Sequence, residues 1–134
     1  MSARPKPFAA EPADAKVPPK RKGLAHLFAS TSYSISGLKR LSVEPAFRQE
    51  IAATILVLGF HALVGSSAVV WLAQGVLLLV LYALEALNTA IEEIVDHVSP
   101  RYSDAARNAK DLGSLAVLFA LCANGACLPL AFLL

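Results

Sequence analysis

The placement of positive charge constrains this chain more than any other feature. Its 12 Lys and Arg residues fall only between Arg4 and Arg48 and between Arg101 and Lys110, so neither Gln49 to Pro100 nor the stretch after Lys110 holds one. Cations are kept out of hydrocarbon by the cost of desolvating them, and long apolar runs between basic zones mark a membrane protein. Composition agrees. Only 16% of the residues are charged, 56% are hydrophobic, and the mean hydropathy is +0.56, whereas a soluble domain carries about 25% charged residues. A net charge of +2 gives no electrostatic footprint for a polyanion, and no nucleic-acid partner is expected.

Residues 1–22, rich in Pro, Ala and Lys and without apolar periodicity, are expected to form a disordered basic tail. A signal peptide would need an apolar run directly after the Lys20-Arg21-Lys22 cluster, and a mixed, Ser-rich segment follows instead, so the tail is expected to stay in the cytoplasm. Leu24, Leu27, Phe28, Ile35, Leu38 and Leu41 recur at near-helical spacing among Ser, Thr, Lys39 and Arg40. That pattern predicts an amphipathic helix over about 24–42 lying on the bilayer surface. Three apolar stretches follow, at about 47–64, 68–97 and 112–134, the first approaching and the other two exceeding the roughly 20 residues a spanning helix needs. Gly65-Ser66-Ser67 is an uncharged turn between the first two, and a polar loop from Ser99 to Asp111 separates the second from the third. The expected fold class is an all-α membrane protein, with three transmembrane helices plus an N-terminal amphipathic surface helix in one domain over 23–134. The positive-inside rule puts both basic zones in the cytoplasm and the hairpin turn and C-terminus outside.

Six of the ten acids, Glu44, Glu50, Glu85, Glu92, Glu93 and Asp96, belong to the first two spans or their cytoplasmic ends. At about 100° per residue, Glu85, Asn88, Glu92 and Asp96 share one helical face while Glu93 points to another, so the stripe is expected to be a site without Glu93. A carboxylate facing lipid costs at least about 2.5 kcal/mol, so the stripe must face protein, water or a cation. An interhelical clamp to Lys110 or Arg48 is one reading. The stronger one is a hard divalent cation such as Mg²⁺, which takes oxygen ligands and usually brings phosphates, because the stripe plus Glu44 exceeds what two basic partners neutralise. Three helices of one chain are also expected to leave this stripe against lipid. A trimer built around the second spans would enclose it, with Glu44 or Lys110 reaching a neighbour's Glu85.

The third span opens with Ala109-Lys110-Asp111-Leu112-Gly113-Ser114. Alone that is ordinary, since Asp in a first helical turn partners the helix dipole and lysine at a membrane edge snorkels. Beside an acidic stripe it becomes half of a phosphoryl-transfer site, a chemistry that is mainly positioning and charge neutralisation. Neither a P-loop nor a kinase Gly-rich loop is present. Glu85 lies deeper along its helix than Glu92, where a lipid anchored by its tails presents a hydroxyl, and an alcohol attacks phosphorus only if a base takes its proton. Cys122 and Cys127, in an apolar run, read as packing residues. Two readings from other classes are weaker. A small proton-coupled transporter subunit would need polar groups further across the second span, whose outer half has no acid. A non-catalytic assembly protein has no use for acids and lysine in this conjunction.

Glu44-Pro45-Ala46-Phe47-Arg48-Gln49-Glu50, Glu85-Ala86-Leu87-Asn88-Thr89-Ala90-Ile91-Glu92 with Asp96 after it, and the Lys110 block together resemble the small prokaryotic membrane diacylglycerol kinases. The likeness runs from about Gly23 to the C-terminus, in family order and nearly family spacing. It implies a homotrimer in the bacterial inner membrane that transfers the γ-phosphate of ATP to the hydroxyl of diacylglycerol, giving phosphatidic acid. By that likeness Glu85 is the general base and also meets the lipid, and Glu44 and Glu92 hold Mg²⁺. Tyr33, Arg101, Tyr102, Ser103, Lys110 and Asp111 match nucleotide contacts, with Asn88 close by. Ala46, Phe47, Arg48, Gln49, Glu50 and Ser114 match the lipid-facing side.

The chain departs from the family pattern in the surface helix, with His26 where an Arg is common and Ile35 where a Trp is common two residues after the matching Tyr33. One residue fewer separates Tyr33 from Glu44, and Arg107 stands one place further from Lys110 than the usual Arg. The sister undecaprenol kinases usually continue Lys-Asp with Ile-Ala-Ala-Gly. Leu112-Gly113-Ser114-Leu115 is nearer the diacylglycerol type.

Overall fold

The structure, a computed structural model, describes residues 24–133, with side chains from 31 onward. The predicted tail over 1–22 and the side chain of His26 lie outside the described residues. The chain divides into two compact units, Met1–Tyr33 and Ser34–Leu134. The described part of the first is the start of helix α1 (Leu24–Leu41), and the second holds everything else.

Three helices follow α1, and no strand occurs among the described residues. Helix α2 (Pro45–Val64) starts on a proline, where a missing N–H leaves no helical bond unmade. It ends at Gly65, which adopts φ 71° and returns its N–H to the His61 carbonyl, as does Ser66 at 3.1 Å. A left-handed residue closes a helix end at low cost only as glycine, so the predicted turn is chemically fixed at this position. Helix α3 (Ala68–Val98) has 31 residues. At 1.5 Å per residue it is about 46 Å long, well beyond the roughly 30 Å hydrocarbon thickness, so one end must stand in a polar layer. The acids of Glu92 and Asp96 mark which end.

Helix α4 (Asp104–Cys127) differs from the expected third span at both ends. It begins eight residues before 112, because Ser103 caps it by accepting the Ala106 N–H at 3.1 Å and Asp104 sits in its first turn. The polar residues up to Lys110 are therefore helical rather than loop. At its far end Pro129 removes a helical N–H and crowds the preceding turn, and the chain tightens into a 3-10 segment over Leu128–Phe132. Three helices are long and apolar enough to cross a membrane, with bounds Pro45–Val64, Ala68–Val98 and Asp104–Phe132. Leu63 is 90% exposed, Leu56 75% and Leu72 71%. A soluble protein of this size does not present such a surface, whereas lipid covers it.

The tightest packing joins α3 to α4. Buried positions on α3 are Val70, Gln74, Leu78, Leu81, Glu85 and Asn88, and on α4 Gly113, Val117, Ala120, Asn124 and Cys127. Both sets step by three and four residues, which is the seam of two helices that cross at a shallow angle. The α4 side is mostly small. In lipid, where apolar contact alone gives no advantage between helices, small residues let backbones approach and gain dispersion contact. Leu81, Val117 and Ala120 form the apolar centre of the seam.

A polar relay crosses the other half of the bundle. Asn124 Nδ2 donates to the carbonyls of Leu77 and Ala120 at 3.1 and 2.9 Å, which accept only and so fix the amide's orientation. Its Oδ1 then accepts from Gln74 Nε2 at 2.7 Å, Gln74 Oε1 meets His61 Nε2 at 3.3 Å, and His61 Nδ1 meets Ser66 Oγ at 2.9 Å. Two backbone carbonyls thus dictate that neutral His61 carries its proton on Nε2 while Ser66 donates to Nδ1. These polar groups lie across the second span where the sequence showed no acid. They do not form a transport path, because Gln74 and His61 are fully buried and each is satisfied by protein. The Asn124→Leu variant strands the Gln74 amide and should lower stability in micelles by about 1–3 kcal/mol. Replacing His61, Gln74 and Asn124 together by Leu should come closer to wild type than that single change, as thermal denaturation in one detergent would show.

Candidate active site

The inner half of α3 orders its polar side chains by depth. Glu85 is 3% exposed and Asn88 9%, Glu92 is half-buried, and the Asp96 side chain is 67% exposed. One chain therefore buries the deep end of the stripe by itself. The expectation that three helices leave it against lipid does not hold for Glu85 and Asn88, because α4 comes close enough to cover them. For Asn88 the close approach needs Gly113, where an added Cβ would overlap the Asn88 Oδ1.

The stripe's members then divide by partner. Asn88 Nδ2 donates to Glu92 Oε1 at 3.1 Å, while Asn88 Oδ1 is buried without a partner. Asp96 accepts from Lys110 Nζ at 2.5 Å, so the clamp considered from sequence exists at the exposed end of the stripe and not at Glu85 or Glu92. From α2, Glu50 turns inward, buried and with Oε2 lacking any partner. Glu50 lies within electrostatic reach of Glu85, and Glu85 within reach of Glu92 and Glu44. The run from Ala46 to Glu50, expected as one lipid-facing group, is split by helical geometry. Phe47 and Glu50, three apart, face in, and Ala46, Arg48 and Gln49 face out. Arg48 and Gln49 line a shallow groove with Pro45 and Ala52, and Ser114 is exposed on α4.

Four of the residues matched to nucleotide, Arg101, Tyr102, Ser103 and Lys110, surround one cavity of about 310 Å³, together with Asp96 and Arg107. Ser99 orders this corner by donating to the Arg101 carbonyl and bonding Ser103 Oγ, each at 3.1 Å. Tyr102 donates to Asp104 at 3.2 Å. Asp111 is exposed and does not line the cavity, and Tyr33 is 70% exposed in the other compact unit. A second cavity of about 490 Å³, lined by Leu38, Leu41, Phe47, Tyr82 and Ala86, has Arg40 and Glu93 among its few polar neighbours.

The sequence reading gave Arg40 no role and set Glu93 outside the stripe. The Arg40 guanidinium pairs with Glu44 and, at 2.5 Å, with Glu93. Hydrogen bonding to Glu44, opposed by partial burial and helped by Glu93, pushes its pKa above the usual arginine value, so it stays charged. The four-residue spacing of Arg40 and Glu44 at the end of a predicted helix was the available signal.

An oxygen-only donor set, the carboxyl groups of Glu44 and Glu92 with the unmatched Asn88 carbonyl oxygen, fits a hard divalent cation rather than a soft one. Among the described residues no three acidic, His or Cys side chains converge tightly enough to enclose a metal. The Gly113→Ala variant must displace the Asn88 amide and break its bond to Glu92, with an expected loss of about 1–3 kcal/mol in micelle stability. Adding Asn88→Ala should restore stability but not activity, as paired denaturation and turnover measurements would show.

The family model for prokaryotic diacylglycerol kinase matches residues 32–132. A diacylglycerol kinase from Sinorhizobium sp. is 49% identical over 106 residues, covering 79% of this chain and 77% of the relative. Those of Haemophilus influenzae and Escherichia coli K12 are 36% and 35% identical, covering 79% and 74% of this chain and 91% and 82% of theirs. This chain is a kinase that belongs to the prokaryotic diacylglycerol kinase family.

Proposed function

We propose that the protein transfers the γ-phosphate of ATP to the hydroxyl of diacylglycerol, giving phosphatidic acid, at the cytoplasmic face of the bacterial inner membrane. The observation that carries this reading is the exposure gradient along α3. Glu85 sits at the dry end, Glu92 at the boundary, and Asp96 with Lys110 at the wet end. A lipid hydroxyl and a water-soluble nucleotide come from opposite sides of that boundary, and only a site graded across it meets both.

In this mechanism the 310 Å³ cavity takes the nucleotide, with Arg101, Arg107 and Lys110 supplying positive charge to the phosphates and Tyr102 and Ser103 shaping its wall. Lys110 exchanges Asp96 for phosphate as the nucleotide enters. Tyr33 and Asp111 are further nucleotide contacts by family likeness. Glu44 and Glu92 would hold Mg²⁺, which when bound would supply charge neutralisation for phosphoryl transfer. Glu85 takes the hydroxyl proton as the oxygen–phosphorus bond forms and the bridging bond to the β-phosphate breaks, ADP leaves with that electron pair, and the proton passes from Glu85 to solvent. The 490 Å³ apolar cavity beside Phe47 and Tyr82 suits part of a lipid tail. Glu50, Arg48, Gln49 and Ser114 flank the acceptor.

The same reading includes a homotrimer, an N-terminal surface helix, a cytoplasmic N-terminus and a C-terminus on the far side. Trimer formation cannot rest on burying Glu85, and is supported instead by the family likeness and by the wide apolar faces of α2 and α4.

The Glu85→Gln variant keeps size and polarity but cannot accept the proton. Its turnover should fall by about 10²–10⁴-fold, the usual contribution of a general base, with thermal stability and ATP-analogue binding retained. Radiolabelled ATP in mixed micelles with diacylglycerol, undecaprenol or ceramide would test the acceptor. Preferential labelling of undecaprenol would move the chain to the sister activity.

A further inference from the structure

Arg40 stands in the last turn of α1 and uses two edges of its guanidinium. Nη1 donates to Oε1 of Glu44, four residues on, and Nε donates to Oε1 of Glu93 on α3 at 2.5 Å. Glu44 occupies the N-cap position of α2 yet makes no side-chain cap bond, so its carboxylate is turned to Arg40 rather than to the first amides of its own helix. Glu93 follows Glu92 directly, and Glu92 is held on its other side by Asn88.

Two physical features separate this bridge from an ordinary surface pair. The first is mechanical. At its inner end α2 touches α3 through Tyr82, which meets Thr54 at 2.5 Å and packs edge-on against Phe47 with centroids 5.4 Å apart. Among the described residues, Arg40 provides the only ion pair that ties the α1–α2 junction to the helix carrying Glu92. The second is electrostatic. A lone arginine on a cation-binding carboxylate would cancel its charge, but a second carboxylate on the guanidinium leaves the Glu44–Arg40–Glu93 group with a net charge of −1. Both parts are needed, since Arg40 fixes the carboxylate and Glu93 keeps it attractive to a cation.

We propose that Arg40, anchored by Glu93, is a positioning residue that fixes where the Glu44 carboxylate stands relative to α3 and so sets the affinity of the site for its divalent cation. The proposal rests on the reading of Glu44 and Glu92 as cation ligands. Both ion pairs are about half exposed and add little to stability, so their effect is read in cation binding rather than in folding.

The test uses the full-length protein in mixed micelles, comparing Arg40→Gln, Glu93→Gln, the double variant, and Glu44→Gln as reference. Two curves are measured for each: activity against Mg²⁺ at saturating ATP and lipid, and binding of Mn²⁺ by electron paramagnetic resonance with a non-hydrolysable ATP analogue and no turnover. Each single change should shift both curves to higher cation by about tenfold, the low end for groups that orient a metal ligand, with activity at saturating Mg²⁺ within about twofold. The double variant should do no worse than the poorer single, since both residues act through one bridge. Arg40→Lys keeps the charge but not the two-edged fork and should recover only part of the shift.

Unmoved curves in the Arg40 and Glu93 variants, with Glu44→Gln shifted, would reduce the bridge to a surface pair. Additive losses in the double variant, or lower thermal stability with cation curves unchanged, would equally overturn the proposal. If Glu44→Gln shifts neither curve, the assignment of Glu44 as a ligand has failed and the proposal falls with it.

Discussion

The site depends first on how closely α4 approaches α3. A membrane gives two helices little hydrophobic reason to associate, so the contact must come from dispersion between well-fitted surfaces and from polar groups that lipid cannot satisfy. Gly113 and Ala120 supply the fit on α4, and Asn124 supplies a polar tie at one end of the seam. The same approach that packs Leu81 against Val117 and Ala120 covers Glu85 and Asn88 and brings Lys110 to Asp96. One packed seam thus dries a carboxylate at one depth and sets an ammonium beside another carboxylate a few turns away. Rotating α4 by one position would undo both.

Helix α2 is attached differently. Its far end is pinned by the buried His61–Gln74 contact, and its near end by Tyr82 and by Arg40 acting through Glu93. The ion pair among the near-end ties is partly exposed, and exposed pairs hold weakly. Glu44 and Glu50 are therefore delivered from an element with more freedom than α3 and α4.

Much of this was legible in the sequence because membranes impose few solutions. The runs without Lys or Arg pointed to three crossing helices, Gly65 marked the hairpin, and the spacing of Glu85, Asn88 and Glu92 put them on one face. What was not legible followed from interactions without a periodic signature. The start of α4 at Asp104 depends on a serine cap, and its polar first turns look like loop when hydropathy alone is weighed. The close approach of α4 to Asn88 depends on the absence of a side chain at Gly113, which no pattern of apolar residues announces. Arg40 and Glu93 belong to different helices and meet only after both are packed. The relay through His61, Gln74 and Asn124 joins three helices through isolated polar residues, each inconspicuous in its own apolar run.

The two buried polar clusters differ in a way that separates structure from chemistry. In the relay through Asn124, Gln74 and His61 each polar group has a partner, and donation runs in one direction from a serine hydroxyl to backbone carbonyls. Such a network has nothing left to offer a ligand, and its natural effect is to fix helix register. The inner cluster has the opposite character. Asn88 Oδ1 and Glu50 Oε2 are buried without partners, and the carboxylates of this end pair with Arg40 and Lys110 at the margins. An unmatched buried acceptor costs about 1–3 kcal/mol, a burden that a fold carries when something outside the chain relieves it. Oxygen acceptors and excess negative charge call for a cation and a proton. Those are the two species that phosphoryl transfer to an alcohol brings to this end of α3.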